Sequence, residues 1–277
     1  MRYSLHITNN CNLRCAYCYE DNKLDPARKQ FVISKEEIDQ KIKQILSYGN
    51  CDELELLGGE VFLYTDKIKY LFERYHSNFK IMITTNATIR NECIDELIKT
   101  YKPILSVSLD DPLTVETQRV GLNFAKALAN AKFWHKYTNV LIAAVINPQN
   151  IRRIKETFDF YIFEHGFKGI HFGCVEEWMN DHYWEIYKQE AVRLIESLDR
   201  KTLESISLSP WKYYAVHRKE IIFEDGIEKI EIFDTSKMEL SKYREASYYV
   251  YTVCCAKLGV LPEPMIPRNV QLVETAA

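Results

Sequence analysis

The chain has 277 residues, 47% hydrophobic and 27% charged, with 9 glycines and 8 prolines, a mixture that excludes a disordered tail, a collagen-like fibre and a small disulfide knot. Its 36 Lys and Arg against 39 Asp and Glu leave a formal net charge of -3, which gives no general attraction for nucleic acid or for an anionic membrane. No apolar run reaches the roughly 18 residues of a membrane span, the first residues show no signal-peptide pattern, and the cysteines are too few for a disulfide scaffold, so a cytoplasmic globular protein is expected, with any grouped cysteines serving metal or redox chemistry.

In chain order, residues 3–8 (YSLHIT) have the length and composition of a short strand, which runs into a polar, cysteine-bearing loop at 9–20. Ser34 followed by Glu37 is a capping-box signature, and Ile38, Ile42, Ile45 and Leu46 recur on one face of a helix predicted over about 35–48. Residues 53–57 (ELELL) read as a strand ending at Gly58-Gly59. The alternation continues with a helix at about 65–77, a strand at 79–84, a helix at about 91–100 and a strand at 104–109. Then come a helix at about 116–133, a strand at 138–146, a helix at about 149–164 entered through Asn147-Pro148, a strand at 168–173 and a helix at about 177–197.

Repeated strand–helix units predict the α/β class and a parallel sheet, curved into a partial (β/α)6 barrel with its chemistry at the carboxyl ends of the strands. Beyond about 200 the pattern changes. Residues 220–233 (EIIFEDGIEKIEIF) predict a hairpin around Asp225-Gly226, no clean period follows, and Pro262, Pro264 and Pro267 argue against a core helix after 260. The economical division is a barrel at 1–200 and a small C-terminal α+β cap at 201–277.

Cys11, Cys15 and Cys18 form a C-x3-C-x2-C arrangement on the loop after the first strand. Three thiolates on one short loop can hold three irons of a 4Fe-4S cube and leave the fourth iron open to a small molecule bearing an amine and a carboxylate. Two other readings stand beside this one: a zinc knuckle recruiting a fourth ligand, for which His6 is a candidate, and thiols with a structural role only.

The stretch CNLRCAYCY, with Tyr17 just before the third cysteine, resembles the cluster motif of the radical S-adenosylmethionine superfamily, and the resemblance extends over about residues 3–200. It implies a partial (β/α)6 barrel, a 4Fe-4S cluster held by Cys11, Cys15 and Cys18, and S-adenosylmethionine as second cofactor. The implied activity is reductive cleavage of that sulfonium to methionine and a 5'-deoxyadenosyl radical, which takes a hydrogen atom from substrate. Gly58-Gly59-Glu60 matches the family's glycine-glycine-glutamate motif, which receives the methionine amino group; glycines permit close backbone approach and Glu60 can accept from an ammonium. Thr85 and Asn86 after the third strand, and Ser108 on the fourth, match the polar groups around the ribose and the methionine carboxylate, and Tyr17 is matched to packing near adenine. Asp110 shares a face with Ser106 and Ser108 by the period of two and is assigned a ribose or substrate contact, against a plain turn before Asp111-Pro112. Asn147 is open between the cofactor site and the cap of the helix that follows.

Further phrases are similar to the branch of the family that matures peptides and proteins: SVSLD, then Arg119, VINPQNIRRI (145–154), EHGFKGIHF (164–172) and Trp178. They imply a ribosomally made peptide as substrate, crosslinked, epimerised or oxidised, and a reductase, flavodoxin or ferredoxin as electron donor. Because the chain begins at its first strand, peptide recognition is expected from the cap, the barrel mouth or a separate peptide-recognition protein. That branch usually carries auxiliary clusters in its accessory domain. Here cysteines are absent beside 220–233, and adjacent Cys254 and Cys255 would point different ways on an extended backbone, so no second cluster is expected. Cys174, at the sixth strand's end, is a candidate hydrogen donor to a carbon radical, against a buried structural thiol. Cys51 and Cys93 are read as structural, and Tyr248-Tyr249-Val250-Tyr251 as packing for the C-terminal segment, against the edge of a peptide groove. Two further classes stay open: a radical enzyme acting on a small metabolite or nucleotide, and a non-catalytic iron–sulfur or zinc interaction protein.

Overall fold

The computed structural model describes residues 2–18, 30–49, 52–206, 219–223, 230–234 and 242–262. Strands β1 (Arg2–Thr8), β3 (Glu53–Gly58), β4 (Lys80–Thr85), β5 (Ile104–Ser108), β7 (Val140–Ile146) and β8 (Gly169–Cys174) lie side by side in that order. Every neighbouring pair among them is parallel, as the repeated strand–helix pattern predicts. Two short strands, β2 (Arg14–Cys15) and β6 (Arg119–Val120), pair separately and antiparallel.

The crossovers are helices whose starts and faces are written locally. In α1 (Lys35–Ser47) the Ser34 hydroxyl accepts from the Glu37 backbone N–H at 3.1 Å, and the Glu37 carboxylate accepts from the Ser34 N–H at 2.7 Å. Asn91 and Asn123 cap α3 (Glu92–Tyr101) and α5 (Phe124–His135), and Asn180 caps α7 (Asp181–Ser197). Apolar residues spaced three and four apart seal these helices and α2 (Thr65–Tyr75) onto the sheet: Ile38, Ile42 and Ile45, then Ile68, Leu71 and Phe72, then Ile94, Leu97 and Ile98. Leu46, expected on the buried face of α1, stands 42% exposed beyond its edge.

Two predicted helices are interrupted. The segment at 116–133 is a short α4 (Val115–Gln118) and then α5, separated by β6 and by Gly121 at φ +93°. The chain leaves the helix there because Arg119 pairs across to Cys15 and turns its guanidinium inward. The segment at 149–164 is a 3-10 turn, a short α6 (Ile154–Asp159) and a π-helical turn at Phe160–Glu164.

After α8 (Arg200–Ile206), strand β9 (Lys219–Phe223) pairs parallel with β1, and β10 (Ile230–Asp234) pairs antiparallel with β9. Among the described residues the sheet thus has eight strands, with β10 at one edge and β8 at the other. The two runs of the predicted hairpin are strands; its Asp225-Gly226 turn lies outside the described residues, as do Cys51, Pro264 and Pro267.

Helix α9 (Lys242–Leu258) was not expected from the sequence. It packs on α7 and buries Ala246, Val250, Tyr251, Cys254, Cys255 and Leu258. Lys257 fastens it there: its ammonium donates to the carbonyls of Ile195, Glu196 and Leu198, at 2.5–2.8 Å, at the C-terminus of α7. Cys254 and Cys255 are therefore helical and buried, and burial pushes the Cys254 thiol up to about 12. No helix among the described residues is long and apolar enough to cross a membrane.

Candidate active site

The carboxyl ends of the parallel strands open on a cavity of about 720 Å³, inside the range of roughly 300–1,000 Å³ usual for small-molecule sites. Cys11, Cys15 and Cys18 all line it, together with Tyr17, Gly58, Gly59, Thr85, Asn86, Ser108, Arg119 and Cys174.

The cysteine loop is held by backbone bonds from two directions. Gly59 N–H donates to Thr8 O and Glu60 N–H to Asn10 O, both at 2.8 Å, while Ala16 N–H donates to Gln118 O at 2.8 Å. This contact explains the two glycines. A Cβ on Gly58 would sit 2.1 Å from Thr8 O and one on Gly59 2.0 Å from Asn10 O, so only glycine lets the loop after β3 lie against the loop after β1.

Glu60 departs from expectation. Its carboxylate is fully buried and does not line the cavity. It accepts from Phe62 N–H at 3.1 Å, Thr85 Oγ1 at 2.8 Å and Asn86 N–H at 2.7 Å, because the end of β4 supplies donors nearer than the cavity. Burial pushes its carboxyl above the usual range, and the three donors oppose that shift. Glu60 thus ties the ends of β3 and β4 together, and its backbone meets the cysteine loop.

Asp110 also differs. It lies fully buried beneath the cavity, and both its oxygens are taken up by the fold. Arg119 clamps it from two sides, Nε to Oδ2 at 3.1 Å and Nη2 to Oδ1 at 2.9 Å, and Val145 N–H donates to Oδ1 at 2.9 Å. The Tyr17 hydroxyl donates to the same carboxylate, and the Arg119 guanidinium lies 5.4 Å from the Tyr17 ring centre. Burial raises the Tyr17 phenol, which keeps it protonated as the donor. Asp110 therefore anchors the motif tyrosine and the arginine.

Asn147 is buried away from the cavity: its amide exchanges two hydrogen bonds with Gln118 and accepts from Gln149 N–H at 2.9 Å. Of its two readings, cofactor site and cap of the helix that follows, its contacts lie nearer the second, since its side-chain oxygen accepts from a backbone N–H of the segment leading into α6. His6 is buried within β1. Cys174 lies on the cavity wall, and burial, with the Glu176 carboxylate adding to it, pushes its thiol well above the ordinary value. Asn12, which accepts from Asn86 Nδ2 at 3.0 Å, and the buried pairing of Arg119 with Asp110 are the features that the sequence did not single out. The sequence marked Arg119 only by its likeness to the peptide-maturing branch, and its position nine residues after Asp110 says nothing by itself about contact.

The donor set suits a cube. A 4Fe-4S cube takes one thiolate per iron, which needs three thiols bordering one volume, and that is how Cys11, Cys15 and Cys18 are disposed.

The profile of the Radical SAM superfamily matches residues 5–161, more than half of the chain. The chain belongs to that superfamily. Its cofactors are a 4Fe-4S cluster and S-adenosylmethionine. An uncharacterised protein of Methanocaldococcus jannaschii is 28% identical over 197 residues, 64% of each chain. A probable GTP 3',8-cyclase of Methanococcus vannielii is 29% identical over 109 residues, 39% of this radical SAM chain and 36% of the cyclase. The chain thus spans less than two thirds of these relatives. Among solved structures, anSMEcpe with bound AdoMet superposes with a TM-score of 0.66 at 16% identity, over 91% of this chain and 77% of that one. The same protein with AdoMet and the Cp18Cys peptide gives 0.62 at 17% identity, over 91% and 80%. These likenesses extend the barrel fold to most of the chain.

Proposed function

We propose that this protein is a radical S-adenosylmethionine enzyme in which Cys11, Cys15 and Cys18 hold the 4Fe-4S cluster and whose substrate is a peptide. The observation that carries the reading is the meeting of these three thiols with Gly58, Gly59, Thr85, Asn86 and Ser108 around one cavity at the strand ends. When bound, the cluster supplies an electron that cleaves the sulfonium to methionine and a deoxyadenosyl radical. The chain's own groups bind and orient: the backbone of Gly58 and Gly59 faces the cavity, Ser108 offers a hydroxyl for a carboxylate or ribose, and Tyr17 and Trp178, packed edge to face with ring centres 6.2 Å apart, give an apolar wall for adenine.

A peptide substrate is supported by the peptide-bound state of the anSMEcpe fold neighbour and by a cavity with room beyond one nucleoside. We assign its recognition to the barrel mouth, the segment after residue 200 or a separate binding protein, electron delivery to a reductase, flavodoxin or ferredoxin, and the setting to the cytoplasm. Cys174 keeps its S–H bond at neutral pH and can return a hydrogen atom to a carbon radical, the thiyl then regaining its thiol by one electron from that donor protein and one proton from solvent. Replacing Cys174 with Ala should leave deoxyadenosine formation within about twofold while abolishing the epimerised product, read by chiral amino-acid analysis; an undiminished epimer yield contradicts that role.

The second reading, a nucleotide substrate, is favoured by the match to the GTP 3',8-cyclase. Sulfonium cleavage by the anaerobically reconstituted chain separates the two: stimulation by peptides and not by GTP supports the first, and the reverse overturns it.

A further inference from the structure

Two side chains from different strand ends aim N–H groups at the cysteine sulfurs. Asn86 Nδ2 lies 3.8 Å from Cys11 Sγ, and Arg119 Nη1 lies 3.9 Å from Cys15 Sγ. Neither donor can swing freely. The Asn86 backbone N–H is held by Glu60 at 2.7 Å, and its side-chain oxygen accepts from Thr88 N–H at 3.0 Å and Thr88 Oγ1 at 2.6 Å. Its Nδ2 also donates to Asn12 Oδ1 at 3.0 Å. The three side-chain contacts fix which end of the amide carries nitrogen, and that end faces sulfur. Arg119 spends Nε and Nη2 on Asp110, which leaves Nη1 directed at Cys15. Both side chains are buried, 6% and 7% exposed.

A hydrogen bond to a thiolate ligand draws electron density off the sulfur. It favours the more negative, reduced form of a cluster and raises the reduction potential. We propose that Asn86 and Arg119 are positioning residues that set the reduction potential of the cluster through N–H donation to Cys11 and Cys15. Glu60, Thr88 and Asn12 serve this role by holding the Asn86 amide in place. The inference rests on the reading that these cysteines bind the cluster, and iron content tests that reading separately from the potential.

The test is a redox titration of the anaerobically reconstituted full chain without S-adenosylmethionine, followed by electron paramagnetic resonance, for the native protein, Asn86→Leu and Ser108→Ala. At equal iron and sulfide loading, Asn86→Leu should lower the one-electron reduction constant about tenfold, a midpoint about 59 mV more negative. Ser108→Ala, which removes a hydroxyl from the cavity wall but no donor to sulfur, should leave it unchanged. A fully loaded Asn86→Leu protein with the native midpoint overturns the proposal. If that variant takes up no iron, the native protein decides: with 15N-labelled asparagine, the reduced cluster should show a 15N and exchangeable-deuteron hyperfine coupling, and its absence overturns the proposal. A native chain that binds no iron ends the underlying reading instead.

Discussion

Asp110 and Arg119 form the site's most demanding pair, since both charges are buried and each satisfies the other. Removing one partner strands the other charge in the interior, which costs about 3–5 kcal/mol. Asp110→Asn should therefore lose stability of that order in chemical denaturation and release Tyr17 from its anchor, whereas the double change Asp110→Leu with Arg119→Met should recover much of the loss. A single variant within 1 kcal/mol of native would mean that the pair does not hold the floor of the cavity. At this scale the sequence spoke clearly where chemistry was local. The three cysteines share one eight-residue span, and the glycine pair marks a close approach whatever the partner. It was silent where partners are distant: Tyr17 and Asp110 are 93 positions apart, Glu60 and Asn86 are 26 apart, and no local period announces either contact. The glycine-glycine-glutamate match gives Glu60 a ligand contact and the period of two gives Asp110 one; in the structure both carboxylates accept donors from within the fold.

The crossover helices were legible because capping residues and apolar spacing are short-range signals. The cap of α1 carries a checkable pH dependence. Glu37 is held below the usual carboxylate value by the Ser34 backbone N–H and hydroxyl, so its contribution is present above the unfolded value of about 4.3 and is lost as pH falls through the lower folded value. Glu37→Ala should cost about 0.5–1 kcal/mol at pH 7, and the gap to the native protein should close below about pH 4. A gap that stays constant or widens in acid, measured by urea unfolding across pH 3–8, would contradict the capping role. Elements became illegible where tertiary contacts override periodicity. The break between α4 and α5 serves the pairing of β6 with β2 beside the cysteines. Helix α9 has aromatic residues around its whole circumference, Tyr248 half-buried, Tyr249 exposed and Tyr251 buried, which blurs the stripe that would have announced it.

For the whole molecule, six parallel strands in chain order were predictable, because each strand pairs with the next one along and the helix between fixes their direction. The pairing of β9 with β1 was not: it joins residues more than 200 positions apart, and the hairpin pattern alone leaves its docking edge open. The consequence for function is that the strand carrying the cysteine loop is flanked on both sides, by β3 and by β9, so the loop stands on an interior strand of the sheet. A cluster held there is expected to drive one reaction. The direct measurement is 5'-deoxyadenosine released from S-adenosylmethionine by the anaerobically reconstituted and reduced chain, beside Cys15→Ala. Product from the native protein, with an at least hundredfold loss in the variant (about 2.7 kcal/mol in the barrier, at 1.36 kcal/mol per tenfold), is the predicted result; equal yields from both, or none from a native chain carrying its full iron and sulfide with peptide and nucleotide substrates supplied, would contradict it.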